Sequence, residues 1–132
     1  MRVVLDTNVL VSALLSPLGP PARILDLMVT GQLTLLFDDR ILYEYREVLQ
    51  RPRFAFDTLT IDQLLAFFDR QGERITAFPL QRKIPDPDDL PFLEVALTGK
   101  ADALITGNKP DYGTPPKGLK VLNPAEFLRI ID

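Results

Sequence analysis

Short apolar runs alternate with longer amphipathic segments along this chain, and the first run, Val3 to Leu5, stops at the carboxylate of Asp6. Parallel strands need long crossovers, which helices supply, so this alternation predicts a parallel α/β sheet. Strands are expected at Arg2 to Asp6, Leu33 to Phe37, Ile75 to Phe78, Ala103 to Thr106 and Leu119 to Leu122. Helices are expected between them. The first starts near Asn8; the second is "PPARILDLMVTG", with prolines suited to a first turn and Gly31 to a stop. Asp38 or Asp39 is a plausible cap for the third, where Ile41, Tyr45, Val48 and Leu49 recur at helical spacing. Thr60 reads as the cap of "TIDQLLAFFDRQG", the turn "IPDPDD" leads into "DLPFLEVALTGKA", and an Asn-Pro entry opens the tail helix.

Composition narrows the chemistry chiefly through what is missing. The 132 residues, 46% hydrophobic and 25% charged, have the profile of one globular domain spanning 1–132. With no Cys and no His, disulfides, thiolate nucleophiles, imidazole ligands and Ser-His-Asp triads are all excluded. Sites built from carboxylates without soft ligands suit hard cations, Mg2+ or Mn2+. No apolar stretch approaches the roughly 20 residues of a membrane span, and the first residues lack a signal-peptide core. A cytoplasmic protein with no membrane partner is the expectation. The net charge of -3 argues against broad electrostatic attraction to nucleic acid, though not against a local basic patch.

Four polar loci interrupt the apolar pattern. Asp6, followed by Thr7 and Asn8, sits at the tip of the first strand, where an unpartnered carboxylate costs several kcal/mol, about 2–5, to desolvate. Phe92, Leu93 and Ala96 lie three, four and seven positions after Asp89, so Asp89 projects from an apolar face; it or Asp88 could equally cap the helix. Glu44 flanks the face formed by Ile41, Tyr45 and Val48, where a plain boundary carboxylate is the simpler reading. The strand ending at Thr106 is followed by Gly107, Asn108 and Asp111. Open parallel sheets gather ligand sites at the carboxyl ends of their strands, so Asp6 and the segment from Thr106 to Asn108 should meet at one edge. Carboxylates gathered there would raise one another's pKa unless a divalent cation neutralises them.

In order, "VVLDTNVLVSALL", "ILYEYREVL", "DPDDLPFLEVAL" and "ADALITGNKPDY" resemble the PIN domain, in particular the VapC-like toxins of prokaryotic toxin-antitoxin pairs. The resemblance spans nearly the whole chain. It implies a Rossmann-like three-layer α/β fold, with a mainly parallel sheet of about five strands flanked by helices. It further implies a Mg2+- or Mn2+-dependent ribonuclease, commonly a homodimer, with RNA as substrate and a small antitoxin protein as partner. Asp6, Glu44 and Asp89 match the family's acidic metal-site positions; Thr7 and Asn8 match the polar residues after the first Asp, and Thr106 the polar residue closing the fourth strand. Asn108 departs from the pattern, since many members carry a fourth Asp there; Asp111 or Asp86 are the possible replacements.

Arg46, Arg51 and Lys109 are the candidate phosphate contacts, with Arg53 and Lys117 as further cations. Within "QRPRFAF", Phe54 and Phe56 are expected to belong to the core, with stacking on bases as the alternative. Two rivals remain. A receiver or a haloacid-dehalogenase-like phosphatase would share the acidic strand tip, but the phosphatase pattern needs a second Asp where this chain has Asn8. A PIN scaffold that binds RNA or protein without cutting is favoured by Asn108 and opposed by the three retained acids.

Overall fold

The computed structural model describes residues 1–131, with Asp132 outside the described residues. Five strands form one sheet in the order β3-β2-β1-β4-β5, and every neighbouring pair is parallel. The strands are β1 (Arg2–Leu5), β2 (Thr34–Phe37), β3 (Glu73–Arg74), β4 (Ala103–Ile105) and β5 (Val121–Leu122). The helices are α1 (Thr7–Leu15), α2 (Pro20–Val29), α3 (Asp39–Leu49), α4 (Thr58–Gln71), α5 (Leu90–Thr98) and α6 (Pro124–Ile131). The α/β architecture expected from the alternation is therefore present.

β1 is the central strand. Val3, Val4 and Leu5 are all at most 1% exposed although successive side chains point to opposite faces, so helices cover the sheet on both sides. Val3 pairs with Leu35 on one side and Ala103 on the other, and Leu5 with Ile105. Strand order reverses between β1 and β4: β2 and β3 lie on one side of β1, β4 and β5 on the other. That reversal opens a crevice at the carboxyl ends of β1 and β4, the position where parallel sheets place their sites.

Two local expectations are corrected. The third strand is Glu73–Arg74, not Ile75 to Phe78. It pairs with Leu36 and Phe37, and the last ladder bond runs from the Ile75 N–H to the Phe37 carbonyl at 2.7 Å. Beyond Phe37, Asp38 turns the partner chain into α3, so no strand remains for residues 76 to 78 to pair with, and Phe78 is exposed. The short β3 edge is polar, its Glu73 and Arg74 engaged by Arg2 and by Asp39 and Asp69. Such charged edges discourage pairing with other chains.

The cap of α4 is Asp57 rather than Thr60; its carboxylate accepts from the Thr60 N–H at 3.3 Å. Asp38, one of the two residues considered, caps α3 by accepting from Ile41 N–H. Gly72 ends α4 where it presses on β2: a Cβ there would stand 2.6 Å from the Phe68 carbonyl oxygen and 2.8 Å from that of Leu35. No helix among the described residues is long and apolar enough to cross a membrane.

Candidate active site

β1 delivers Asp6 to the crevice and α1 begins on the next residue, so Asp6 stands at both a strand end and a helix start. Its backbone N–H still donates to Ile105 at 2.9 Å, which ties the strand tip to β4. The side chain is nearly buried and is held from β4 and the loop after it. Thr106 Oγ1 donates to Asp6 Oδ2 at 2.8 Å, and the Tyr112 hydroxyl donates to the same oxygen at 3.0 Å. Burial raises the Asp6 pKa, while the two hydroxyls and the Thr7 backbone oppose that rise.

Glu44 enters from α3, half-buried, and accepts a hydrogen bond from the Thr7 hydroxyl. Its pKa is raised, by burial first and then by the charges of Asp6, Asp88 and Asp86, with the Thr7 hydrogen bond opposing. Tyr45, the next residue on α3, turns inward and donates to the Leu5 carbonyl. That bond fixes α3 against the tip of β1. The boundary position read from the sequence for Glu44 is thus one that faces Asp6 rather than bulk solvent.

Asp89 ends the turn that introduces α5 and is 8% exposed. Asp86 caps this turn by accepting from the Asp88 N–H at 3.0 Å, while Asp89 holds the N-cap position of α5 without a side-chain capping bond. Among the described residues the Asp89 carboxylate receives no hydrogen bond and no ion pair. Burial, and then the charges of Asp6, Asp86, Asp111 and Glu44, push its pKa up to about 8. Carboxylate oxygens of Asp86, Asp89 and Asp111 lie within 4.8 Å of one another. Like charges this close are unfavourable unless protons or a cation intervene, and an all-oxygen donor set fits a hard divalent ion.

These residues line one open cleft of about 440 Å³, which contains Asp6, Thr7, Asn8, Glu44, Asp86, Asp88, Asp89 and Asp111, with Arg53 and Phe54 at its rim. Asn8 also serves the frame, its Oδ1 accepting from Gly107 N–H at 2.9 Å. Asn108 is exposed and outside the cleft lining; its N–H donates to Thr106 Oγ1, and its carbonyl accepts from Asp111 N–H in the turn that presents Asp111. Asp111, three residues later, is the acid of this turn that lines the cleft.

The candidate phosphate contacts lie elsewhere. Arg46 is paired with Asp62 at 2.7 Å, and Lys109 with Glu126 at 3.0 Å. Glu126 and Asn123 exchange backbone-side-chain hydrogen bonds at the start of α6, so Lys109 fastens the Asp111 turn to that helix. Arg51 and Lys117 are exposed and do not line the cleft. Arg53 does. Phe54 and Phe56 pack against the core as expected yet are only half-buried.

Sequence reading missed Tyr112 and Glu94. Tyr112 is wholly buried beside Asp6, and burial together with the Asp6 charge raises its pKa, so it remains a donor. Its one signal was an aromatic closing the polar turn "NKPDY". Glu94, alone in the apolar run "LPFLEVAL", is buried and accepts from Arg40 at 2.7 Å and from the Leu80 N–H at 2.7 Å. It lies outside the cleft and holds the segment after β3 against α5.

A parallel α/β sheet with carboxylates from four separate segments meeting at its switch point defines a class of acidic, metal-binding α/β domains. The PIN domain family profile matches residues 2–110. The chain belongs to the PIN-domain family. An uncharacterized protein of Methanocaldococcus jannaschii is 32% identical over 120 residues, covering 83% of this chain and 72% of that protein. The crystal structure of VapBC2 from Rickettsia felis, bound to a DNA fragment from their promoter, shares the fold. Its TM-score is 0.59 at 18% identity, over 93% of this chain and 98% of that one.

Proposed function

We propose that this chain, folded as a single PIN domain over residues 1–132, is a Mg2+- or Mn2+-dependent endoribonuclease that hydrolyses RNA phosphodiester bonds. The observation that carries the reading is Asp89, a nearly buried carboxylate without a hydrogen-bond partner, set among five further acids. Asp6 and Asp89 would hold the ion, with Asp86 and Asp111 contributing charge. A bound divalent cation would supply an acidified water at neutral pH and stabilise charge on the phosphate oxygens.

The chain's own groups do the rest. Thr106 and Tyr112 fix one oxygen of Asp6, so the carboxylate keeps a single orientation. Glu44, oriented by Thr7, accepts the proton of the attacking water, a task suited by its raised pKa. Asn8 and Gly107 hold the helix start and the β4 loop in register around the acids. Asp111 restores the charge that Asn108 lacks, which favours the enzyme over a binding module that does not cut.

The toxin role and its partners are part of the same proposal. The fold shared with VapBC2 and the resemblance of the motifs support a toxin held by a small antitoxin protein, acting as a homodimer in the cytoplasm. The test is cleavage of RNA by the purified protein with Mg2+, Mn2+ or EDTA, beside Asp6→Asn. Metal-dependent cutting that the variant lacks is expected; equal cutting by both proteins refutes the assignment.

A further inference from the structure

The rim of the acidic cleft carries a cation that no acid claims. Arg53 lines the cleft with six carboxylates, yet among the described residues it makes no ion pair, whereas Arg40, Arg46 and Lys109 are all paired. Its guanidinium carbon sits 4.8 Å from the centre of the Phe54 ring. Phe54 in turn stacks on Phe56, with ring centres 5.5 Å apart and planes 12° from parallel. Both rings are half-buried and packed against the core, which gives the guanidinium a fixed support. The turn Pro52–Phe54 ends at Ala55, whose φ of 52° reverses the chain between the two rings.

A guanidinium resting over a ring directs its N–H donors outward, and this planar fork matches the oxygens of a phosphate. The need for such a group is electrostatic. Six carboxylates repel a polyanion, and one cation anchored at their edge lets a strand approach without neutralising the acids themselves.

We propose that Arg53, seated on Phe54, holds a backbone phosphate of the RNA strand beside the acidic centre. The inference rests on the nuclease reading above and adds the group that grips the strand. Arg53→Gln removes the charge; Arg53→Lys keeps it and gives up the planar fork. Lys120→Gln, an exposed change outside the cleft, is the control for net charge.

Fluorescence anisotropy with an end-labelled uridine dodecamer, in Ca2+ and over a range of salt, reads binding; gels with Mg2+ or Mn2+ read cutting. Thermal melts of each variant establish that it is folded. Arg53→Gln should weaken single-strand binding about tenfold. The slope of log affinity against log salt should fall by about 0.7, the loss of one phosphate contact on a single strand. Arg53→Lys should keep the wild-type slope with intermediate affinity, and Lys120→Gln should match the wild type.

Unchanged affinity and slope in Arg53→Gln, with RNA still cut by the wild type, overturn the role of Arg53 and leave the nuclease standing. An equal loss in Lys120→Gln also overturns the inference. Binding through Arg53 with no cutting by any protein rejects the nuclease and keeps the phosphate grip. A wild type that neither binds nor cuts the dodecamer rejects both.

Discussion

Replacing Asp89 by Asn should make the metal-free protein more stable above neutral pH, although the residue is nearly buried. In the fold, burial and the surrounding acids lift the Asp89 pKa from 3.8 to about 8. An acid raised in this way does not oppose folding below its unfolded pKa near 4; it opposes folding increasingly as pH climbs, and fully above about pH 8. Each pH unit of that interval corresponds to about 1.4 kcal/mol, so an unscreened site would lose about 6 kcal/mol. The cleft is open to solvent, and screening brings the figure to about 2 kcal/mol. For a domain of this size that is a Tm rise of about 6–8 °C. Asn gives up no hydrogen bond, because the carboxylate accepts none. Scanning calorimetry in EDTA near pH 5 and near pH 8 tests this: the two proteins should nearly coincide at the lower pH and separate at the higher. Adding Mn2+ at pH 8 should then raise the wild type more than the variant. An Asp89→Asn protein that is destabilised equally at both pH values would refute the electrostatic account.

Asp111→Asn should weaken Mn2+ binding about tenfold or more by titration calorimetry, whereas Asn108→Ala should change it less than about twofold. Equal losses would assign the fourth donor to Asn108 instead. Gly72→Ala should lower stability by about 2–3 kcal/mol in urea denaturation, because the new Cβ meets backbone oxygens at 2.6 and 2.8 Å. A wild-type midpoint would show that α4 and β2 part at little cost.

Local pattern carried far in this chain because its first and fourth strands are apolar and end in polar residues. Asp6 and Thr106 were readable from that break alone, and helical spacing placed Asp89 inward and Glu44 at a flank. β3 escaped because two exposed charged residues at a sheet edge carry no apolar signal, while the more strand-like "ITAF" follows the last residue that β2 can pair. The partners of Arg46, Lys109 and Glu94 were equally hidden. Asp62, Glu126 and Arg40 are brought to them by packing between helices or between a helix and a loop, and nothing in the neighbouring sequence marks the pairing. Tyr112 was hidden for a related reason: a tyrosine in a proline-containing turn reads as surface until the fold closes it over Asp6.

That closure has a consequence for the life of the protein during synthesis. Tyr112 reaches Asp6 across 106 positions of sequence, and Thr106 across 100. A ribosome making this chain releases Asp6 first and cannot complete the acidic cleft until the segment through Asp111 and Tyr112 has emerged. Loop closures of this length form slowly relative to local helices. A nascent chain, or one truncated before residue 111, therefore carries Asp6, Glu44 and Asp89 without the Asp111 and Tyr112 that complete the site. If the protein cuts RNA, the messenger that encodes it is safe from its own product until translation is nearly done.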